Sequence, residues 1–214
     1  MLLIEYDMNK TYELLNNTIS NLNIQNISEE RKNILNSLVA YIKNKQTNNE
    51  ITRLNFICTH NSRRSHLSQV WAQTMAYHFN IKDVFCYSAG TEATAVFPMI
   101  IQTLKHTGFK IDTLENQSEN PVYSIKYTDN EPSIIGFSKD LNNNFNPKNN
   151  FAAIMTCTQA DEDCPFVLGA ETRIALPFED PKAFDNSEIQ KEKYLERSTD
   201  IASELFYVFS QLNS

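Results

Sequence analysis

The residues best suited to chemistry form one short run, Cys58-Thr59-His60-Asn61-Ser62-Arg63-Arg64-Ser65. Five residues separate Cys58 from Arg64, and Ser65 follows at once. An apolar run ends at Cys58 and an amphipathic helical pattern begins after Ser65, so the run reads as a tight loop between a strand and a helix. A helix N-terminus presents unpaired N–H groups and the positive end of a dipole, and it binds oxyanions. The same field lowers the pKa of a thiol placed there, and the thiolate is the nucleophile. Arg64 can grip two oxygens of a tetrahedral anion at once. Ser65 can hydrogen-bond the thiolate. The chemistry implied is attack of Cys58 on a phosphate-like anion held by residues 59–65.

Such a loop needs a strand behind it and a helix in front. Leu54 to Ile57 supply the strand, within residues 51–58. Leu67, Val70, Trp71 and Met75 recur at helical spacing, which predicts a helix over 65–79. A second strand is expected at 83–88, with Cys86 in the core, leading into Ala89-Gly90-Thr91. Pro98 opens a further helix that Gly108 closes. Residues 122–127 and 133–137 read as a hairpin. The run Phe151-Ala152-Ala153-Ile154-Met155-Thr156-Cys157 has the continuous apolar character of a strand buried on both faces. A short strand at 172–176 and a helix at 187–212 complete the pattern. Strands alternating with helices argue for an α/β fold, a parallel sheet covered on both sides. Ligands of such sheets bind at the carboxyl ends of the strands, where Cys58 lies. Residues 1–50 read instead as a helical extension, with helices over 10–22 and after the N-cap Ser28. The main domain is then 51–214.

Two further thiols and one acid belong to the same edge. Cys157 ends its strand, and Cys164 follows seven residues later. If the segment between them is helical, their Cα atoms stand about 10 Å apart at about 1.5 Å per residue. A disulfide needs Cα atoms within about 7 Å, so bonding the pair requires that segment to unwind. Two unrelated thiols would fit the same spacing. Asp180 follows a strand and precedes Pro181, which holds it extended in a loop. A carboxylic acid there could protonate a leaving oxygen. His66 is close enough to the loop to matter, but it reads as a surface or packing histidine.

Composition narrows the partners. The net charge of -7 argues against general nucleic-acid binding. No apolar run approaches the roughly 20 residues that span a bilayer. Residues 1–7 lack the basic region and long apolar core of a signal peptide, so a cytoplasmic location is expected. Four cysteines in that setting suit catalysis or redox chemistry better than structural disulfides. No metal site is expected.

Taken in order, Cys-x5-Arg-Ser, Tyr87-Ser88-Ala89-Gly90 and the late Asp180-Pro181 resemble the low-molecular-weight protein tyrosine phosphatases. The pair in Thr156-Cys157-x6-Cys164-Pro165 is similar to that of the thioredoxin-coupled arsenate reductases built on the same fold. The resemblance covers about residues 51–212 and implies a central parallel four-stranded sheet flanked by helices. It implies that Cys58 attacks arsenate held by the loop and Arg64, with Asp180 assisting loss of a hydroxyl. Cys157 would then attack Cys58 and release arsenite, Cys164 would take over Cys157, and thioredoxin would reduce the product, with no bound cofactor. Asn61 matches the asparagine that shapes the family's loop. His60 stands where the family carries glycine, and Arg63 where a second cysteine is common. If position 60 needs a positive φ, histidine bears some cost; its ring could instead cover the anion, and Arg63 would add positive charge for it. The alternative activity is phosphomonoester hydrolysis through a Cys58 phosphoenzyme, against which Lys182 and Ala183 replace the aromatic residue expected after Asp-Pro. A third reading is a non-catalytic oxyanion or redox sensor.

Overall fold

A computed structural model describes residues 10–163 and 166–212. Cys164 and residues 1–7, on which the expectation of no signal peptide rests, lie outside the described residues. The elements run α1 (Glu13–Ser20), α2 (Glu29–Thr47), β1 (Thr52–Cys58), α3 (Arg64–His78), β2 (Val84–Gly90), α4 (Pro98–His106), β3 (Lys110–Glu115), β4 (Val122–Lys126), β5 (Ile134–Gly136), β6 (Phe151–Met155), α5 (Thr158–Asp163), β7 (Ala170–Ala175), a 3-10 turn at Pro181–Phe184, and α6 (Gln190–Ser210).

The central sheet has the order β2-β1-β6-β7 and is parallel throughout, as the alternating pattern predicts. Side chains alternate across a strand, and the sheet therefore has two packed faces. Leu54, Phe56, Ala152 and Ile154 face one side, where they meet Trp71, Leu104, Tyr194 and Leu205 from the helices. Ile57, Ala153 and Met155 face the other, against Ala160 of α5 and Val167. Every residue of β6 is buried, which accounts for its unbroken apolar sequence.

The N-terminal helices share this core. Leu15 and Ile19 of α1 and Leu35, Leu38 and Ile42 of α2 are almost fully buried in the same cluster as Leu54 and Trp71. Ser28 caps α2 by accepting from the Arg31 N–H at 3.1 Å, with Glu29 and Glu30 in the first turn. α1 is shorter than the 10–22 span read from the sequence, and its N-cap residue Tyr12 donates its N–H to the Tyr127 carbonyl. α1 also approaches Gly108 closely. That residue has φ +108°, and a Cβ there would collide with the Leu15 backbone, 2.7 Å from its Cα.

The expected hairpin is present as β4 and β5, and it gains a third antiparallel strand, β3, absent from the sequence reading. Of β3, only Ile111 is buried. A strand so exposed carries little alternation to detect.

Candidate active site

Residues 59–63 carry β1 into α3, and their conformation is set from outside the loop. The carbonyls of Cys58 and Thr59 accept from the N–H groups of Thr91 and Glu92, and the Ser62 carbonyl accepts from Phe97. The His60 carbonyl accepts from the hydroxyls of Thr94 and Ser138. With the carbonyls pulled outward, none of the N–H groups of residues 59–63 donates a hydrogen bond among the described residues. Successive free amides ahead of a helix form a concavity suited to an anion. Gly90 permits this closeness. A Cβ there would strike the Glu92 carbonyl and lie 2.7 Å from the Thr59 carbonyl and 2.8 Å from the Asn61 nitrogen.

The left-handed turn falls at Asn61, with φ 44°, not at His60. Histidine therefore bears no such cost here, because the loop places its positive φ on a residue that tolerates it. Asn61 is fully buried. Its Oδ1 accepts from the Lys139 N–H at 2.9 Å, which fixes the amide orientation, and its Nδ2 donates to Ser65 Oγ at 2.8 Å. Ser65 Oγ lies 3.1 Å from Cys58 Sγ. Since Asn61 occupies an acceptor position on Ser65, the hydroxyl proton is free to point at the sulfur. A thiolate can only accept, so the ionised state of Cys58 selects that arrangement.

Arg64 is drawn toward the acid loop. Its Nη1 donates to the Phe178 carbonyl at 2.9 Å and its Nη2 pairs with Asp180 Oδ2 at 2.6 Å. Its buried Nε has no partner among the described residues. Asp180 Oδ1 accepts from the Lys182 N–H at 3.0 Å, so Asp180 also caps the 3-10 turn. Asp180 and the nucleophile loop thus share one edge of the sheet.

Two of the expected anion contacts point elsewhere. The Arg63 side chain pairs with Asp185 at 2.6 Å, donates to the Tyr194 hydroxyl at 2.7 Å and stacks 4.0 Å above the Phe97 ring. Its charge is spent on the far end of the acid loop, and only its backbone remains for an anion. His60 pairs with Glu92 at 2.9 Å on the surface instead of covering the loop. Ser62 is buried within the loop.

Cys157 lies just past β6. In the register of β1 and β6, Ile57 faces Met155, so Cys157 sits beside the start of the nucleophile loop. Its Sγ is 3.6 Å from Thr59 Oγ1 and accepts from the Ala160 N–H at 3.3 Å. Cys58 and Cys157 are both free and belong to the same buried cluster. Residues 158–163 after Cys157 are helical, which meets the condition set on the spacing, and this helix is tied to β7 by Arg173 and Asp161 at 2.6 Å.

Sequence reasoning missed Lys139. The lysine is 1% exposed behind the loop, with no carboxylate within ion-pair reach among the described residues. Its Nζ donates to Ser88 Oγ and the Phe137 carbonyl, both at 3.2 Å, and lies over the Phe137 ring. Ser88 Oγ is 3.4 Å from His66 Nδ1. Burial, aided by the Lys139 charge, lowers His66 to about 3, which makes it a neutral packing histidine and excludes the surface alternative. No sequence signal marks a buried lysine, because the residue type belongs on surfaces.

Burial lowers Lys139 itself from 10.5 to about 7. Below the lower value both native and unfolded chains carry the proton, and the native state bears the full cost of the buried charge. Between the two values the unfolded lysine stays protonated while the native one is neutral, so wild-type stability gains with pH across this window. Lys139→Met lacks that gain. Thermal unfolding of the two proteins should show the variant's relative stability falling between about pH 7 and about pH 10.5. A constant difference would refute the buried, unpaired charge.

The comparisons agree with this geometry. Residues 53–125 match the family profile described as low molecular weight phosphotyrosine protein phosphatase. An arsenate reductase of Staphylococcus aureus (strain Newman) is 29% identical over 137 residues, 64% of this chain and 83% of that protein. One from Bacillus cereus is 28% identical over 137 residues, 64% and 81% of the two chains. Among solved structures, the low molecular weight protein tyrosine phosphatase from T. tengcongensis superposes with a TM-score of 0.50 at 14% identity, over 75% of this chain and 99% of that one. The profile match over residues 53–125 and the shared fold make this chain similar to the low molecular weight phosphotyrosine protein phosphatases.

Proposed function

We propose that the protein reduces arsenate to arsenite with three cysteines and a dithiol reductant of the thioredoxin class. The observation that carries this reading is the place of Cys157. Its free sulfur lies 3.6 Å from the hydroxyl of Thr59, the residue next to the nucleophile. A hydrolase needs no second thiol there.

In the proposed sequence, arsenate sits on the amides of residues 59–63 and on Arg64. The Cys58 thiolate attacks arsenic, and an arsenic-bound hydroxyl leaves as water with a proton from Asp180. The Cys157 thiolate then attacks Cys58 Sγ. The sulfur–arsenic bond breaks, its electron pair stays on arsenic, and arsenite departs. Two thiols have become a Cys58–Cys157 disulfide while arsenic has gained two electrons. Cys164 attacks Cys157, which frees Cys58 and leaves a Cys157–Cys164 disulfide. That step requires α5 to unwind and the Arg173–Asp161 tie to part. The reductant's dithiol closes the cycle by exchange. The names of the curated relatives support the substrate.

Arsenate-dependent oxidation of NADPH, with thioredoxin and thioredoxin reductase supplied, tests the reading. Wild type should turn over steadily, and Cys164→Ser should stop after about one equivalent of arsenite. Sustained turnover by that variant would refute the relay. The runner-up, phosphomonoester hydrolysis, is equally compatible with the Arg64–Asp180 arrangement, which serves either leaving group. It requires multiple turnovers on an aryl phosphate to survive in both Cys157→Ser and Cys164→Ser.

A further inference from the structure

The acid loop is held at three points, and one of the holding groups comes from the N-terminal extension. Arg31, in the first turns of α2, grips Glu204 of α6 through Nε at 2.8 Å and Nη2 at 2.9 Å. The same Nη2 donates to the Pro177 carbonyl at 3.0 Å, and the guanidinium lies 4.9 Å from the centroid of the Phe178 ring. The next carbonyl, that of Phe178, accepts from Arg64. Two residues later Asp180 takes the other arm of Arg64. Two guanidinium groups therefore hold consecutive carbonyls of one segment, Arg31 from the extension and Arg64 from the nucleophile loop. At the far end Arg63 holds Asp185. The side chains of Arg31 and Glu204 are only 19% and 14% exposed. A two-point pair so enclosed is pre-organised and weakly screened, unlike an exposed ion pair.

We propose that Arg31 is a positioning residue for Asp180. By fixing the backbone at 177–178 it keeps the Asp180 carboxyl in register with Arg64 and the reacting anion, so the extension contributes to catalysis without touching substrate. The proposal rests on the reading of Asp180 as the proton donor, and it gives residues 1–50 a task that the family resemblance leaves unexplained. An arginine is required because only a planar fork can span Glu204 and the Pro177 carbonyl together.

The test compares hydrolysis of p-nitrophenyl phosphate, whose leaving group needs little protonation, with that of phenyl phosphate, whose leaving group needs much. General acids contribute about 10²- to 10⁴-fold. Asp180→Asn should therefore slow phenyl phosphate far more than p-nitrophenyl phosphate. Arg31→Met should show the same selectivity, with a loss on phenyl phosphate about 10-fold greater than on the nitro compound, a partial loss on that scale. Arg31→Lys should fall between Arg31→Met and wild type. In the Asp180→Asn background, Arg31→Met should have almost no further effect, since residues acting through one another are not additive. Equal losses on both substrates, or full additivity, would reduce Arg31 to structural support and overturn the proposal. Indifference of Asp180→Asn to the leaving group would instead remove the acid role itself, and the proposal with it. Amide hydrogen exchange supplies a readout free of activity. Arg31→Met should speed exchange across residues 177–185 and leave residues 59–65 unchanged; unaltered exchange at 177–185 would also overturn the proposal.

Discussion

Cys58→Ser is expected to lower turnover by about 10⁴-fold or more, the scale seen when a nucleophile is removed from a catalytic unit. A serine hydroxyl at this position stays protonated near neutral pH, and neither the loop amides nor Ser65 can supply the lost thiolate. The exchange is nearly isosteric and buried, at 4% exposure, so the fold and the anion cradle should survive. Inorganic phosphate should still raise the unfolding temperature of the variant, because binding to the native state stabilises it by mass action. Turnover and thermal shift measured together separate a missing nucleophile from a collapsed loop. Residual activity near wild type would remove Cys58 from the chemistry.

Asn61→Asp tests the hydrogen-bond relay behind that thiolate. In the wild type Asn61 donates to Ser65 Oγ, and the serine proton is left for Cys58 Sγ. An aspartate accepts only, so the Ser65 hydroxyl must turn its one proton toward the carboxylate and away from sulfur. The Lys139 N–H can still be satisfied by the new oxygen. A hydrogen bond to a charged group is worth about 1.5–3 kcal/mol. Its loss, added to the repulsion of a second anion, should slow alkylation of Cys58 by iodoacetamide by about 100-fold near neutral pH. Asn61→Ala should cost more stability than Asn61→Asp. It deletes both bonds and removes the short polar side chain that makes φ 44° tolerable, in a region that costs other residues with a Cβ about 1–2 kcal/mol. Equal alkylation rates in wild type and Asn61→Asp would mean that Ser65 does not serve the sulfur.

The parts of this molecule that were legible in advance are those written locally. Cys58, Arg64 and Ser65 lie within one loop, and the apolar strand and helical face around them repeat with the periods of their elements. The uninterrupted run at 151–157 has the pattern expected of a strand covered on both sides, and β6 at Phe151–Met155 is such a strand. The parts that were not legible depend on distant partners. Arg63 looked like added charge for an anion until Asp185 and Tyr194, 122 and 131 residues away, were seen to claim it. Arg31 had no visible purpose without Glu204, 173 residues on. β3 was hidden because its residues, apart from Ile111, face solvent. Position 60 shows a different failure. A positive φ is conceivable at the residue that departs from the family pattern, but the turn is made one residue later.

The bond from the Lys139 amide to Asn61 has a consequence for how the molecule comes into being. It spans 78 residues, and the same stretch is laced to Gly90 through the Lys139 carbonyl and the Leu141 amide. Closing so long a span costs chain entropy before any contact rewards it, and such closures slow folding. The strand and helix that flank Cys58 are adjacent in sequence and can pair early. The left-handed turn between them is braced only when residues 138–141 arrive. A nascent chain therefore carries Cys58 without its finished loop until synthesis has passed well beyond the motif, and the concavity of free amides takes shape only once the surrounding wall has closed.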